Sequence, residues 1–411
     1  MSLKLTERDL DLLAGGQGEG AALAMRIMVG TAEAMGAGEM LDIVSAHVDG
    51  CLHHGAVSLD FAQRLIDGGA RVTIPTTLNV GSVDLLHPEL FRGSAEAARE
   101  GAAVMGAYER LGCEPTYTCA PYQLRQRPGF GEQIAWAESN AIVFANSVLG
   151  ARTERYGDFT DICAAVTGRA PAVGLHTDAG RRAHLVIHLD VGQDVLAEDA
   201  AYPALGHLLG SVAGSTVAAL LGLPPTTTED RLKAMGAAAA SSGPVGMFHA
   251  VGVTPEAPDL PAVLGGHDIR EVTVDETRLR QASRELSTVP GGPVDAVCLG
   301  TPHYSTDQLR RLAQLLGGRQ CELPLFVNTG RETLENLDEA TVGALEGAGA
   351  TLVVDTCTYI TPILHPALNT VMTDSAKWAY YAPANLGVEV VYASVEACVA
   401  TATGEEQAQS W

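Results

Sequence analysis

Two cysteines give the sharpest chemical signal in this chain. Cys119 and Cys357 each follow a threonine, in segments that also hold proline and tyrosine: TYTCAPY (Thr116–Tyr122) and DTCTYITP (Asp355–Pro362). Lone cysteines from separate loops can ligate an iron–sulfur cluster that leaves one iron open to substrate. Such an iron acts as a Lewis acid: it binds a substrate hydroxyl and carboxylate and makes hydroxide a tolerable leaving group. The ordinary alternative for each of the eight cysteines is a free thiol buried as a small apolar group. No C-x-x-C pair occurs, which argues against a zinc ribbon or a thioredoxin-like site.

Other chemistries are poorly supplied. His47, His53, His54 and His303 form no H-x-x-x-H pattern, and the adjacent pair His53–His54 points in different directions. No G-x-S-x-G elbow offers a serine nucleophile. The glycine-rich segment Gly15–Gly20 follows LTERDLDLL, which reads as a helix, so it is expected to join two helices and not to cradle a dinucleotide. Only three lysines occur, Lys4, Lys233 and Lys377, against many arginines. The net charge of −23 makes nucleic acid and anionic membranes poor partners. Apolar runs such as Val212–Leu223 fall short of the ~18–20 residues a membrane span needs. The N-terminus has no apolar signal core, so a cytoplasmic enzyme with reduced thiols is expected.

The elements that must position these residues alternate as in α/β proteins. Strands are expected at Leu41–Ser45, Val72–Pro75, Leu185–Leu189, Val294–Leu299, Leu325–Asn328, Thr351–Val354 and Val388–Tyr392. Helices are expected at Ser58–Asp67, Ser94–Leu111, Gly131–Ser139, Ala201–Leu221, Val274–Leu286, Thr306–Leu316 and Arg331–Gly347. The alanine run Ala237–Ala240 reads as linker. Polar segments follow strands at SAHVDGC (Ser45–Cys51), TTLN (Thr76–Asn79), GTPHYS (Gly300–Ser305), NTGR (Asn328–Arg331) and DTCTY (Asp355–Tyr359). Ligands bind at the carboxyl edge of open α/β sheets, so these segments are expected to converge on one site. A first lobe is expected over 1–183, rejoined by 376–411, with a second lobe over 184–375.

In order, and across nearly the whole chain, these segments resemble the large component of aconitase X, a divergent branch of the aconitase superfamily. The resemblance rests on SAHVDG (Ser45–Gly50), PTTLN (Pro75–Asn79), TYTCAPY, GEQIAWAESNAIVFANSVLGART (Gly131–Thr153), GTPH (Gly300–His303), DTCTYITP and TDSAKWAYYAP (Thr373–Pro383). It implies an aconitase-like α/β fold of several lobes, parallel or mixed sheets flanked by helices, and an active site in the cleft between lobes.

The resemblance further implies a dehydratase whose iron–sulfur cluster is bound by three cysteines. Cys119 and Cys357 match two ligand positions. Where archaeal relatives read G-C-P-H, Thr301 stands at the third. Cys51 is the expected replacement, with Cys298 as the alternative, although its strand position turns it away from residue 301. The altered set suggests [2Fe-2S], with [4Fe-4S] and [3Fe-4S] open. Two activities are known in the family: dehydration of cis-3-hydroxy-L-proline to Δ1-pyrroline-2-carboxylate, and dehydration of mevalonate 5-phosphate. Lack of the G-C-P-H cysteine favours the first. Ser375 or Lys377 is expected to handle the proton or the carboxylate, with Asn146 and Arg152 as further carboxylate binders. His47, Asp49, Thr76, Thr77 and Asn79 are expected to line the pocket or orient ligands. The length leaves no segment for the smaller swivelling domain of such enzymes, so a separate small subunit is expected. The competing class is a cluster-free binding or regulatory protein, for which Thr301 is the best argument.

Overall fold

The computed structural model describes residues 3–266 and 268–405. Three lobes follow one another along the chain, each built on a parallel sheet. The first contains β1 (Met40–Asp42), β2 (Ala46–Val48), β3 (Thr76–Leu78), β4 (Ala135–Trp136) and β5 (Arg169–Pro171). Strands β3-β2-β4 form a parallel sheet, and β1 pairs antiparallel with β5. Local pattern and structure differ here in two places. The strand expected at Val72–Pro75 lies just downstream, in β3. The helix expected at Gly131–Ser139 is instead β4 followed by a helix from Ser139, because Ala135 N and Ala137 N donate to Ser45 O and His47 O across the sheet at 3.0 and 2.8 Å. Tertiary pairing overrides helix propensity in so short a segment. Gly15–Gly18 joins two helices, Glu7–Leu13 and Glu19–Ala34.

The second lobe is the sheet β8-β7-β6-β9, from β6 (Leu185–Asp190), β7 (Ala218–Leu221), β8 (Phe248–Ala250) and β9 (Arg270–Asp275), all parallel. The long helix expected at Ala201–Leu221 stops at Ala213, and its last residues become β7. The alanine run is not linker but the middle of the helix Glu229–Ser242. It packs against Ala201–Ala213 so closely that a Cβ on Gly206 would lie 2.1 Å from Met235 O, and one on Gly210 2.6 Å from Ala239 O. Small side chains are what allow two helices to approach to this depth.

The third lobe orders its parallel strands β12-β11-β10-β13-β14, from β10 (Ala296–Tyr304), β11 (Leu325–Thr329), β12 (Ala350–Val353), β13 (Thr370–Thr373) and β14 (Glu389–Tyr392). Every residue of β10 is buried, as expected for a central parallel strand covered on both faces. The expected two-lobe division therefore differs from the structure: 184–375 spans two sheets, and the segment from 376 stays with the third lobe instead of returning to the first. The reason is pairing. β14 satisfies its backbone groups on the edge of β13, in register from Thr370↔Glu389 to Thr373↔Tyr392. The following helix, Val395–Ala402, buries Cys398, Val399 and Ala402 with Leu309, Leu312 and Leu316. Residues 406–411 of that expected segment lie outside the described residues. No helix among the described residues is long and apolar enough to cross a membrane.

One apolar cluster joins the lobes. It contains Val80 and Cys119 from the first, Ala238 from the second, and Cys298, Cys357 and Trp378 from the third.

Candidate active site

The carboxyl ends of β3, β2 and β4 carry Asn79, Asp49 and Glu138, where a parallel sheet presents its ligand-binding edge. All three face a cavity of about 760 Å³, which Cys119, Tyr359 and Lys377 also line. Asn79 donates its amide to Asp49. Desolvation, reinforced by the carboxylates of Glu138 and Asp158, pushes the Asp49 carboxyl well above the usual carboxylate range. Glu138 adopts a left-handed backbone conformation, φ 71°, and caps the helix Ser139–Phe144 by accepting from Ala141 N at 2.9 Å. Its other carboxylate oxygen pairs with the Lys377 ammonium. Burial alone would lower the Lys377 pKa, but the Glu138 carboxylate together with Tyr359 and Cys119 outweighs it and raises the group well above its ordinary value. Lys377 is therefore a fixed cation.

Beside the cavity, one ligand atom each from Cys119, His303 and Cys357 lies within 4.8 Å of the others, and all three residues are buried. His303 N donates to Cys119 Sγ at 3.3 Å, and His303 Nε2 is 3.7 Å from Cys357 Sγ. The imidazole is also held by Thr118 Oγ1 and Thr356 O, both at 3.1 Å. Burial lowers its pKa to about 4, leaving it neutral. Burial works against a Cys119 thiolate, but hydrogen bonding from Cys357 and the Lys377 charge lower its pKa overall, while Cys357, donating to it, is raised. Two sulfurs and a neutral imidazole are donors suited to a borderline or soft metal.

Several clamps place Cys357. Asn328 accepts from Thr358 N at 3.0 Å and donates to Leu299 O at 2.7 Å. Arg331 grips Asp355 through two bonds of 2.5 Å, and Asp84 of the first lobe accepts from Val354 N at 3.0 Å. Gly300 (φ 82°) lets β10 pass β11: a Cβ there would lie 2.1 Å from Asn328 O.

The structure brings Asp49, Asn79, Lys377 and Cys119 to the cavity, and sets Cys357 beside Cys119. The other expected residues serve elsewhere. His47 Nδ1 meets Thr77 Oγ1 at 2.8 Å between β2 and β3, and Thr76 Oγ1 donates to Ile74 O at 2.9 Å. Asn146 is buried, bridging Thr153, Gly246 and Arg181. Arg152 pairs with Asp178, which is 78% exposed. Ser375 caps the helix Ala376–Leu386, accepting from Trp378 N at 3.1 Å and donating to Thr301 O.

Cys51, the expected third ligand, lies in the first-lobe core with Tyr108 and Cys113, its thiol pushed up by burial. Cys298, the alternative, is a buried strand residue whose thiol burial pushes up to about 12. Neither joins the Cys–His–Cys group among the described residues. Two contributors escaped the sequence reading. His303 stood in the quoted GTPH but lacked helical histidine spacing. Glu138 lies two residues past β4, a strand whose two-residue length hid it.

A second cavity, of about 750 Å³, is lined by residues of all three lobes, among them Tyr122, Asp199, Asp230, Lys233, Arg311 and Asp374. Neither cysteine of the donor group lines it.

Comparison with known proteins agrees with this arrangement. Family models described as the Aconitase X first, second and third domains match residues 2–179, 183–284 and 294–404. A cis-3-hydroxy-L-proline dehydratase of Pseudomonas aeruginosa is 44% identical over 409 residues, which span 98% of this chain and 70% of that protein. A phosphomevalonate dehydratase large subunit of Methanothermobacter thermautotrophicus is 37% identical over 380 residues, spanning 91% and 92%. The crystal structure of Thermococcus kodakaraensis aconitase X in its holo-form superposes with a TM-score of 0.86 at 29% identity, covering 96% of this chain and 99% of that one. With all three family domains matched in order on one α/β framework, the chain belongs to the aconitase X family and is an enzyme of the hydro-lyase class.

Proposed function

We propose that the chain is the catalytic large component of an iron–sulfur-dependent dehydratase, converting cis-3-hydroxy-L-proline to Δ1-pyrroline-2-carboxylate. The observation that carries this reading is the Cys119–His303–Cys357 group standing beside a cavity that also holds the Asp49 carboxyl, pushed upward by burial, and a buried ion pair, Lys377–Glu138. The donor set fits a small cluster: two buried sulfurs and a neutral imidazole already stand within 4.8 Å of one another, so little rearrangement separates them from a ligand set. Cys119, Cys357 and His303 would hold it, in place of a three-cysteine set. When bound, the cluster supplies a Lewis acid for the departing hydroxyl. In a [2Fe-2S] form these three donors would leave a position free for substrate.

The chain's own residues account for the remaining steps. Lys377, a fixed cation, neutralises the substrate carboxylate as charge builds on it during loss of the α-proton. Glu138 accepts that proton, and Asp49 donates its proton to the leaving oxygen so that water departs. Asn79 orients Asp49. The enamine then tautomerises to the cyclic imine.

Charge favours this substrate over mevalonate 5-phosphate. No arginine is among the described residues lining the cavity, and Lys377 is the one lysine there, so a doubly charged phosphate would lack the several cations it usually meets. A zwitterionic imino acid needs only one cation for its carboxylate, and Lys377 supplies it. The two relatives most relevant to substrate, from Pseudomonas aeruginosa and Hypocrea jecorina (41% identical over 413 residues), are both named cis-3-hydroxy-L-proline dehydratases.

A separate small subunit completing the site is part of the proposal. It is supported by the wide cavity beside the donor group and by the "large subunit" names of relatives. A cytoplasmic setting suits eight free cysteines.

The test is anaerobic purification with iron and acid-labile sulfide counted, then turnover of cis-3-hydroxy-L-proline and of mevalonate 5-phosphate on one preparation, with the small subunit supplied. Cys119→Ser, Cys357→Ser and His303→Ala should bleach the protein, and Cys51→Ser should not. A colourless wild type without iron or sulfide refutes the cluster, and turnover of the phosphate ester alone refutes the substrate.

A further inference from the structure

Lys233 takes no part in that chemistry, yet it is one of three lysines in the chain and only 3% exposed. It lies on the second-lobe helix Glu229–Ser242. An ammonium has three hydrogens, and each has an acceptor here. Asp230 accepts at 2.8 Å, the side-chain oxygen of Gln308 accepts, and the main-chain oxygen of His303 accepts at 3.2 Å. Gln123 of the first lobe donates to the same His303 oxygen, also at 3.2 Å. Burial would push the Asp230 carboxyl up, but the Lys233 charge and the Ser305 hydroxyl, bonded at 2.8 Å, hold it below the ordinary range. Ser305 and Gln308 form the capping box of the helix Thr306–Leu316, which starts just beyond His303. The lysine thus grips both His303 and the helix start that follows it.

We infer that Lys233 is a positioning residue for the metal centre. It fixes the His303 carbonyl from the second lobe, while the His303 N–H meets Cys119 Sγ of the first lobe and the imidazole meets Cys357 of the third. One backbone residue is held from three lobes, so a change in how the second lobe sits would reach the metal ligands through Lys233. Partners behind a ligand set its orientation and commonly alter metal retention when removed. The inference rests on His303 serving as the third donor.

The test uses the reconstituted protein with Lys233→Met and Asp230→Asn together, which removes the charge and its counter-charge at once. Circular dichroism in the far ultraviolet reports folding. The readouts are the rate of anaerobic iron loss to a chelator and the paramagnetic resonance line positions of the reduced cluster. Iron loss should accelerate about tenfold or more, with shifted lines. A rate within about twofold of wild type with unchanged lines overturns the inference. Should that pair not fold, Lys233→Gln with Asp230→Asn, whose shorter amide does not span to His303, replaces it under the same criteria. His303→Ala separates the two failures. If it leaves the cluster spectrum unchanged, His303 is no ligand and the underlying reading fails. If it alters the spectrum while the Lys233 variants do not, only the role of Lys233 is refuted.

Discussion

Breaking the Lys377–Glu138 pair should damage stability and activity separately, and a double variant distinguishes the two. The partners' side chains are 3% and 5% exposed, so neither can return to water when the other is removed. Removing one member of a buried pair costs about 3–5 kcal/mol, because a charge is left uncompensated. Glu138 keeps bonds from Ala141 N and Asn140, so Lys377→Met should fall near about 3 kcal/mol, the low end of that range. Glu138→Gln strands an ammonium whose next neighbour is the Tyr359 ring at 6.0 Å, and should reach about 4–5 kcal/mol. With both neutralised, Lys377→Met/Glu138→Gln should recover to within about 1 kcal/mol of wild type while remaining inactive. Trp378, fully buried beside Lys377, provides a local fluorescence signal for denaturation of the cluster-free protein. If the two single losses simply add in the double variant, the groups are not coupled and the proposed fixed cation is wrong.

Three further outcomes are expected. Thr301 Oγ1 is buried without a hydrogen-bond partner, so Thr301→Val should be neutral or stabilise by up to about 1 kcal/mol and leave the chromophore unchanged; loss of colour would reveal a ligand role for the hydroxyl. Burial lowers the pKa of His47 to about 3 and of His176 to about 4, against an ordinary 6.5. Between those values the unfolded chain binds more protons, so these groups make stability fall as pH drops from 6.5, each by about 1.4 kcal/mol per unit. His47→Gln should flatten that slope in denaturant titrations from pH 6.5 to 4, and an unchanged slope refutes the burial. Arg152→Ala should cost no more than about 1 kcal/mol, because its partner Asp178 is largely in water, and should change kcat/KM less than twofold; a large rise in KM would restore it as a carboxylate binder.

The residue types and order of this chain were enough to announce an α/β protein with cysteine chemistry at the carboxyl ends of strands. Cys119 and Cys357 sit in short segments whose neighbours are themselves unusual, and such local signals survive without coordinates. So do Asp49, Asn79 and Lys377, each just past a strand or at a helix start. The alanine run misled because buried helix–helix contacts demand small residues, and composition alone cannot tell them from a flexible linker. The expected return of the segment from 376 to the first lobe differs from the structure over the described residues 376–405, because β14 chose its edge by long-range pairing.

The third donor shows where the division falls. From the sequence, Cys51 and Cys298 had the right element and His303 did not. Only folding decides which atoms share a few ångströms: β10 delivers His303 between Thr118 of one lobe and Thr356 of another, while Cys51 is packed into a core it cannot leave. The Lys377–Glu138 pair is likewise tertiary, joining residues 239 apart in the chain. The sequence by itself determined the chemistry available to this protein, since that depends on side-chain types and their local setting. The tertiary structure decided which of those side chains meet, because a metal centre or buried ion pair is defined by distance and desolvation, and neither is a property of a segment read alone.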